Sequence, residues 1–284
     1  MGKKLGAASF SIWVNSALLL AKILVAAFTG SIALYAESAH SLFDLLASVL
    51  AYLGIKKASE PSDHNHHFGH EKFENLSSLL QAMLITGTAF VVLFEAWQRL
   101  TEPPQVENSE IGIILMVVSI PIAWLTSRYL SETARHEGGS HALEADSAHF
   151  LTDVAGSIAV LVGLIFIRAG YPLGDPLAAI AVGLIMLYIS VELGMRSAVI
   201  FLDFSPDRET LKMIEDVLRS EKRISRFHKM RARIAGSRIF VDVHLQFPHT
   251  TGIVEAHGIA HEVEKEIIKK VPAVKEVSIH MEPD

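Results

Sequence analysis

Six stretches of about 20 mostly apolar residues fill the N-terminal two thirds of the chain, the length an α-helix needs to cross roughly 30 Å of hydrocarbon. They cover about 9–28, 32–55, 78–98, 110–130, 143–168 and 176–200, the first two separated by a short turn at Gly30 and the last two by RAGYPLGDP. This pattern predicts an all-α, six-helix transmembrane bundle over residues 1–202. Composition agrees: 50% of residues are hydrophobic and 20% charged, too apolar for an ordinary soluble chain of 284 residues. A net charge of −6 leaves no basic field for nucleic acid.

Lys3, Lys4, Lys56, Lys57, Lys72, Arg128 and Arg135 border the spans on one side, against Arg99 and Arg168 on the other. By the positive-inside rule both termini are cytoplasmic, and the chain is a multi-pass protein of the inner (plasma) membrane. The first apolar run leads straight into a second, so it reads as a retained helix, not a cleaved signal.

From about residue 203 charges become frequent and the apolar pattern shortens. Leu211, Ile214, Val217 and Leu218 recur at helical spacing in 207–220, and 253–270 forms a second amphipathic helix. VDVHLQF and VSIHME alternate between apolar and polar residues, and another strand is expected near 225–234. The order α-β-β-α-β over 203–284 predicts a cytoplasmic α+β domain, ferredoxin-like or metallochaperone-like, with its helices on one sheet face.

The segments SAHSLFDLLAS (38–48) and SAHFLTDVAGS (147–157) carry the same polar pair at the same spacing inside two apolar runs. Residues four apart share a helix face. His40 with Asp44, and His149 with Asp153, therefore each project a ligand pair. Ionisable groups in a span cost roughly 2.5–3.5 kcal/mol each on insertion scales and usually face a partner or a wet cavity. The two spans run in opposite directions. If they meet, two imidazoles and two carboxylates surround one tetrahedral centre, a donor set that zinc favours. The alternative is that each pair merely satisfies itself by a hydrogen bond within its helix. Asn15, Lys22, Glu37 and Glu95 are also polar residues in spans, suited to inter-helix hydrogen bonding or snorkelling as well as to lining the same cavity. With no cysteine, disulfides, thiolate zinc sites and iron–sulfur clusters are excluded, and any metal must be held by His, Asp or Glu.

The paired H-x-x-x-D segments in spans two and five, the loop DHNHHFGHEKFE, the GDP before span six and the histidine-bearing tail together resemble the cation diffusion facilitators, bacterial proton-coupled zinc exporters. The resemblance covers nearly the whole chain and implies export of Zn²⁺, a homodimer, and an ionic contact between Lys72 and Asp203 near the membrane–tail junction. Well-studied zinc/iron exporters of this type carry Asp where His40 stands, whereas zinc-selective members often have His, which favours Zn²⁺ over iron or manganese as the transported ion.

Two further clusters lie outside the spans. Asp63, His64, His66, His67 and His70 crowd one loop. A helical turn there would aim His66 and His70 at one ion with Asp63 closing the site, but such a tract also suits a flexible, weakly metal-attracting loop. The resemblance implies a site at Asp63, His66 and His70. In the tail, alternation turns Val241, Val243 and Leu245 inward and leaves Asp242, His244 and Gln246 on the other face. On the last strand Val277, Ile279 and Met281 turn inward, with His280 and Glu282 outside. Resemblance to a family whose tails bind zinc across a dimer interface implies a site from His228, His244, His257, His280 and Glu282. The roles of His64, His67, His249 and His261 stay open. No nucleotide-binding P-loop and no H-E-x-x-H motif occurs, which argues against ATP coupling and against an intramembrane metalloenzyme. The expected function is proton-coupled efflux of Zn²⁺ by alternating access. A membrane-embedded metal sensor, or export of Cd²⁺, Co²⁺, Fe²⁺ or Mn²⁺, is the alternative.

Overall fold

The structure, a computed structural model, describes residues 2–29, 32–101, 110–169, 171 and 173–284. Two compact units divide between Ala198 and Val199. The first contains the helices α1 (Gly2–Thr29), α2 (Ile32–Ala58), α3 (Lys72–Thr101), α4 (Glu110–His136), α5 (His141–Arg168) and most of α6 (Gly174–Phe201). Three of these, α1, α3 and α4, extend past the apolar windows by more than a turn. Hydrocarbon dictates where a helix must be apolar, but helical hydrogen bonding continues into charged flanks such as 131–136 of α4. Among the described residues, four helices are long and apolar enough to cross a membrane: Gly2–Phe28, Lys72–Leu100, His141–Gly163 and Gly174–Phe201. The helices α2 and α4 match them in length at 27 residues each. The turn expected at Gly30 lies outside the described residues.

Small residues let these helices approach closely, since packing and buried polar contacts drive association in lipid where hydrophobicity cannot. Ala7 and Ala8 of α1, Ala47 and Ala51 of α2, and Ala142 and Ala145 of α5 are all fully buried. At Gly54 of α2 any side chain would run into Ser77 of α3, whose hydroxyl donates to the Leu50 carbonyl at 2.7 Å. An antiparallel ladder joins α3 to α6: Ser197 donates to Ser78 at 2.8 Å, Thr86 to Ser190 at 2.9 Å, and Arg99 to Asp175 at 3.0 Å. At the opposite end of α3 the buried Glu74 accepts from Lys4 of α1 at 3.3 Å and from Ser140, just before α5, at 3.0 Å. The buried ions there are paired and hydrogen-bonded, as desolvation demands.

The second unit follows the expected order: α7 (Arg208–Ser220), β1 (Arg226–Ala235), β2 (Arg238–Phe247), α8 (Ile253–Lys270) and β3 (Val274–Pro283). Asp207 caps α7, its side chain accepting from the Thr210 N–H at 2.7 Å. In the three-stranded sheet β2 is central, antiparallel to β1 and parallel to β3. Its inward residues Val241, Val243 and Leu245 pack with Ile214, Val217 and Leu218 of α7 and Ile259, Val263 and Ile267 of α8. Both helices therefore cover one sheet face, and the other is left to polar side chains.

Candidate metal centres

The two repeated segments do meet. His40, Asp44 and Asp153 each offer a ligand atom within 4.8 Å of the others. Asp44 is the hub, its Oδ1 lying 3.9 Å from His40 Nε2 and 3.1 Å from His149 Nε2. Bonding confined to each helix's own pair is thereby excluded for His149, whose partner stands on the facing helix. Asp44 and His149 are buried at 6% and 2% exposure, while His40 is half-buried. Two imidazoles and two carboxylates thus cluster around Asp44 between α2 and α5, a hard-to-borderline N/O donor set for a divalent cation.

Around this cluster lies a polar shell, in which Asn15 and Lys22 stand out from the sequence as polar residues within spans but Ser11 and Asp146 do not. Asn15 of α1 donates to the Asp44 carbonyl at 3.1 Å and to the Ser48 hydroxyl at 2.8 Å. Ser11 and Ser48 share a hydrogen bond of 2.5 Å, and Ser48 donates to Asp146 Oδ1 at 2.9 Å. Asp146 is fully buried. Periodicity hides it, because it stands where the charged start of α5 passes into the apolar run. Its position three residues before His149, hence on the same helix face, was the available signal. Lys22 donates to Ser41 at 2.6 Å, one residue from His40. Glu95 is exposed and faces Arg99 at 4.0 Å. The side chain of Glu37 lies outside the described residues.

In the loop, Asp63, His66 and His70 come together, but not on the helical turn that their spacing suggested. Residues 61–70 are non-helical, and Asp63 Oδ1 accepts from the N–H groups of Asn65 at 2.9 Å and His66 at 2.7 Å. This Asx turn, with Gly69 at φ 96°, folds the chain back so that the His66 and His70 rings stand 4.4 Å apart. His66 Nδ1 lies 3.1 Å and His70 Nε2 3.2 Å from the Asp63 carboxylate. His70 is buried at 1% exposure, and its Nδ1 faces the Pro61 carbonyl at 3.0 Å, which leaves Nε2 for a ligand.

The His66 N–H is the main influence holding the Asp63 carboxyl down at about 2, against an opposing desolvation, with the Asn65 N–H and the His66 ring adding to it. A depressed carboxyl pKa contributes order above its unfolded value and loses it as pH falls through the folded one. The turn is therefore expected to hold from neutral pH to about 4 and to open as pH approaches 2. Amide exchange at Asn65 and His66 across that range checks this. Loss of protection already near pH 6 would contradict it.

In the tail, the register places His228 opposite His244 and His244 beside His280, so one row of imidazoles crosses all three strands. Their rings are 5.2 and 4.6 Å apart. Glu282 reaches along this row, with an oxygen 2.6 Å from His244 Nδ1, 3.3 Å from His228 Nε2 and 3.6 Å from His280 Nε2. The His244 hydrogen bond is the main influence lowering the Glu282 carboxyl below its usual range, although desolvation opposes it. His228, His244 and Glu282 form the tight group. His257 is exposed on α8, a helix that packs on the opposite sheet face, so a single chain does not bring it to the other ligands. Within its own unit Asp203 pairs with Arg233 at 3.3 Å.

The sequence profile of the cation efflux transmembrane domain matches residues 8–202, and that of the cation efflux protein cytoplasmic domain matches 206–284. The cation-efflux pump FieF of Shewanella oneidensis is 32% identical over 266 residues, covering 94% of this chain and 89% of that protein. FieF of Escherichia fergusonii is likewise 32% identical, over 269 residues, with the same coverage of each chain. A solved structure, the metal-bound C-terminal domain of the CzcD transporter from Thermotoga maritima, is 26% identical; the match covers 28% of this chain and 94% of that one, with a TM-score of 0.26. Two domain profiles in series and near-full-length likeness to efflux pumps accompany a cluster of N/O donors between facing helices: the chain belongs to the cation diffusion facilitator family of membrane cation-efflux transporters.

Proposed function

We propose that this protein exports Zn²⁺ from the cytoplasm in exchange for protons, and that His40, Asp44, His149 and Asp153 hold the ion in transit. The observation that carries the reading is the placing of Asp44 between imidazoles of two helices, with Asp153 within ligand distance. Four N/O donors suit tetrahedral zinc. The same donors accept Cd²⁺, Co²⁺, Fe²⁺ or Mn²⁺ with different preference, and the name of the FieF relatives specifies cation efflux alone.

Release follows from competition at the ligand atoms. Imidazole binds metal only when unprotonated and carboxylate only when ionised, so arriving protons lower the affinity. Zinc loads from the cytoplasm, the helices rock to an outward-open form, and external protons displace the ion. Histidine suits this exchange because its unperturbed pKa, about 6.5, lies in the physiological range.

The chain works as a homodimer in the inner membrane with both termini in the cytoplasm, joined at the membrane–tail junction by Lys72 and Asp203. The loop residues Asp63, His66 and His70 form a second zinc site. In the tail, His228, His244, His280 and Glu282 bind zinc, and His257 joins them when two tails meet. Cytoplasmic zinc thereby draws the tails together and shifts the membrane helices towards the transport-competent packing.

Flux measured in proteoliposomes with a pH gradient tests the reading. Asp153→Ala is expected to eliminate zinc movement while tail binding persists. Survival of flux in that variant refutes transport through this cluster, and tail binding with no flux in the unaltered protein favours a metal sensor.

A further inference from the structure

Two buried polar atoms near the intramembrane cluster have no hydrogen-bond partner among the described residues: Asp146 Oδ2 and His149 Nδ1. They belong to residues one turn apart on α5, where side chains three positions apart are neighbours. Each of the two side chains is already held by its other end. Asp146 Oδ1 accepts from Ser48 at 2.9 Å, and His149 Nε2 faces Asp44 at 3.1 Å. Asp146 has 0% exposure and His149 2%.

A buried carboxylate oxygen left open is expensive, since the desolvation of that group goes uncompensated. An alcohol or an apolar side chain would serve the packing of α5 against α1 and α2 at lower cost. The retained acid therefore points to work done by its open oxygen. Metal-binding imidazoles need one nitrogen bare towards the ion, and a carboxylate or carbonyl commonly accepts the N–H of the other nitrogen, which fixes the tautomer and the ring plane.

We infer that Asp146 is a positioning residue for the transport cluster: its open Oδ2 and the open Nδ1 of His149 come together when the ring presents Nε2 to the cation beside Asp44, the acid then accepting the Nδ1–H. Ser48 steers the acid in turn, and Asn15 ties Ser48 to the Asp44 backbone, so one chain of hydrogen bonds links α1, α2 and α5 around the ligand. The inference rests on the transport-site reading above and adds to it the group that orients one ligand. Asp146 does not itself touch the ion.

The test uses the full chain in a background carrying His70→Ala and His244→Ala, which weakens the loop and tail sites. Zinc affinity is compared by competition with a chelator for this parent, for Asp146→Leu, which keeps the bulk and removes the acceptor, and for Asp146→Asn, which retains a carbonyl oxygen. The expected result is an affinity loss of about 10–100-fold for leucine, a smaller loss for asparagine, and an altered Nδ1–H signal of nitrogen-15-labelled His149 in the zinc-loaded leucine variant. A purely structural acid predicts something else: leucine raises thermal stability, and zinc affinity stays within twofold of the parent. That outcome, or an unchanged His149 signal, overturns the inference. If Asp146→Leu fails to fold, Asp146→Asn decides, and affinity equal to the parent with an unmoved signal counts against the proposal. A parent that binds no zinc at all overturns the transport-site reading and this inference with it, whereas a zinc-binding parent with indifferent variants overturns the inference alone.

Discussion

Asparagine at position 44 is expected to reduce zinc transport by more than about 100-fold, beyond what the loss of an outer-shell partner costs, while leaving the helices folded. The side chains are nearly isosteric, so packing between α2 and α5 survives, and the amide still offers a polar atom to His149 Nε2. Two things are lost. An anionic ligand becomes a weakly donating neutral one at the atom that lies 3.9 Å from one imidazole and 3.1 Å from the other. The charge balance also changes: a divalent ion neutralised by Asp44 and Asp153 would instead leave one net positive charge in a buried pocket, where charge is costly. Zinc uptake by proteoliposomes, alongside a thermal scan of the purified variant, separates lost binding from lost fold. Flux above a tenth of the unaltered level, with the fold intact, would remove Asp44 from the centre of the site.

The tail yields the other large effect. Leu245→Ala is expected to destabilise the cytoplasmic unit by about 2–5 kcal/mol, the range for truncating a buried leucine. Leu245 is fully buried on the central strand, with Phe227 and Met281 as its cross-strand neighbours. For a unit of this size each kcal/mol lowers the melting temperature by about 4–8 °C, so a fall of roughly 8–40 °C follows. The neighbouring His244 depends on this core, because the row of imidazoles exists only while the three strands hold register. Tail zinc binding should therefore disappear over the same temperature range as tail structure, as read by amide exchange along β2. A change of only a few degrees would mean that the core closes around the gap.

Much of the architecture was legible because lipid and water impose strong one-dimensional patterns. The six helices follow from apolar length, and the tail order from a period that switches between helical and alternating. Facing of the H-x-x-x-D segments could be anticipated because four ionisable groups in hydrocarbon must find one another or water. Less local features were hidden. His66 and His70 are four apart, a spacing that suggests a helix, yet an Asx turn at Asp63 brings them together instead. His257 belongs by composition to the tail ligands, but α8 carries it to the far side of the sheet.

The sequence alone determined that the chain enters a membrane, that a small α+β unit follows, and that any metal meets nitrogen and oxygen donors. Those are consequences of side-chain chemistry and periodicity, which each residue carries wherever it lies. Tertiary structure alone decided that Asp44 joins His149 across two helices, that Asp146 is sealed behind the site with one oxygen open, and that three imidazoles form a row under Glu282. Distances between residues far apart in sequence depend on which helix faces touch and on which strand register the core permits, and neither is written in any single segment.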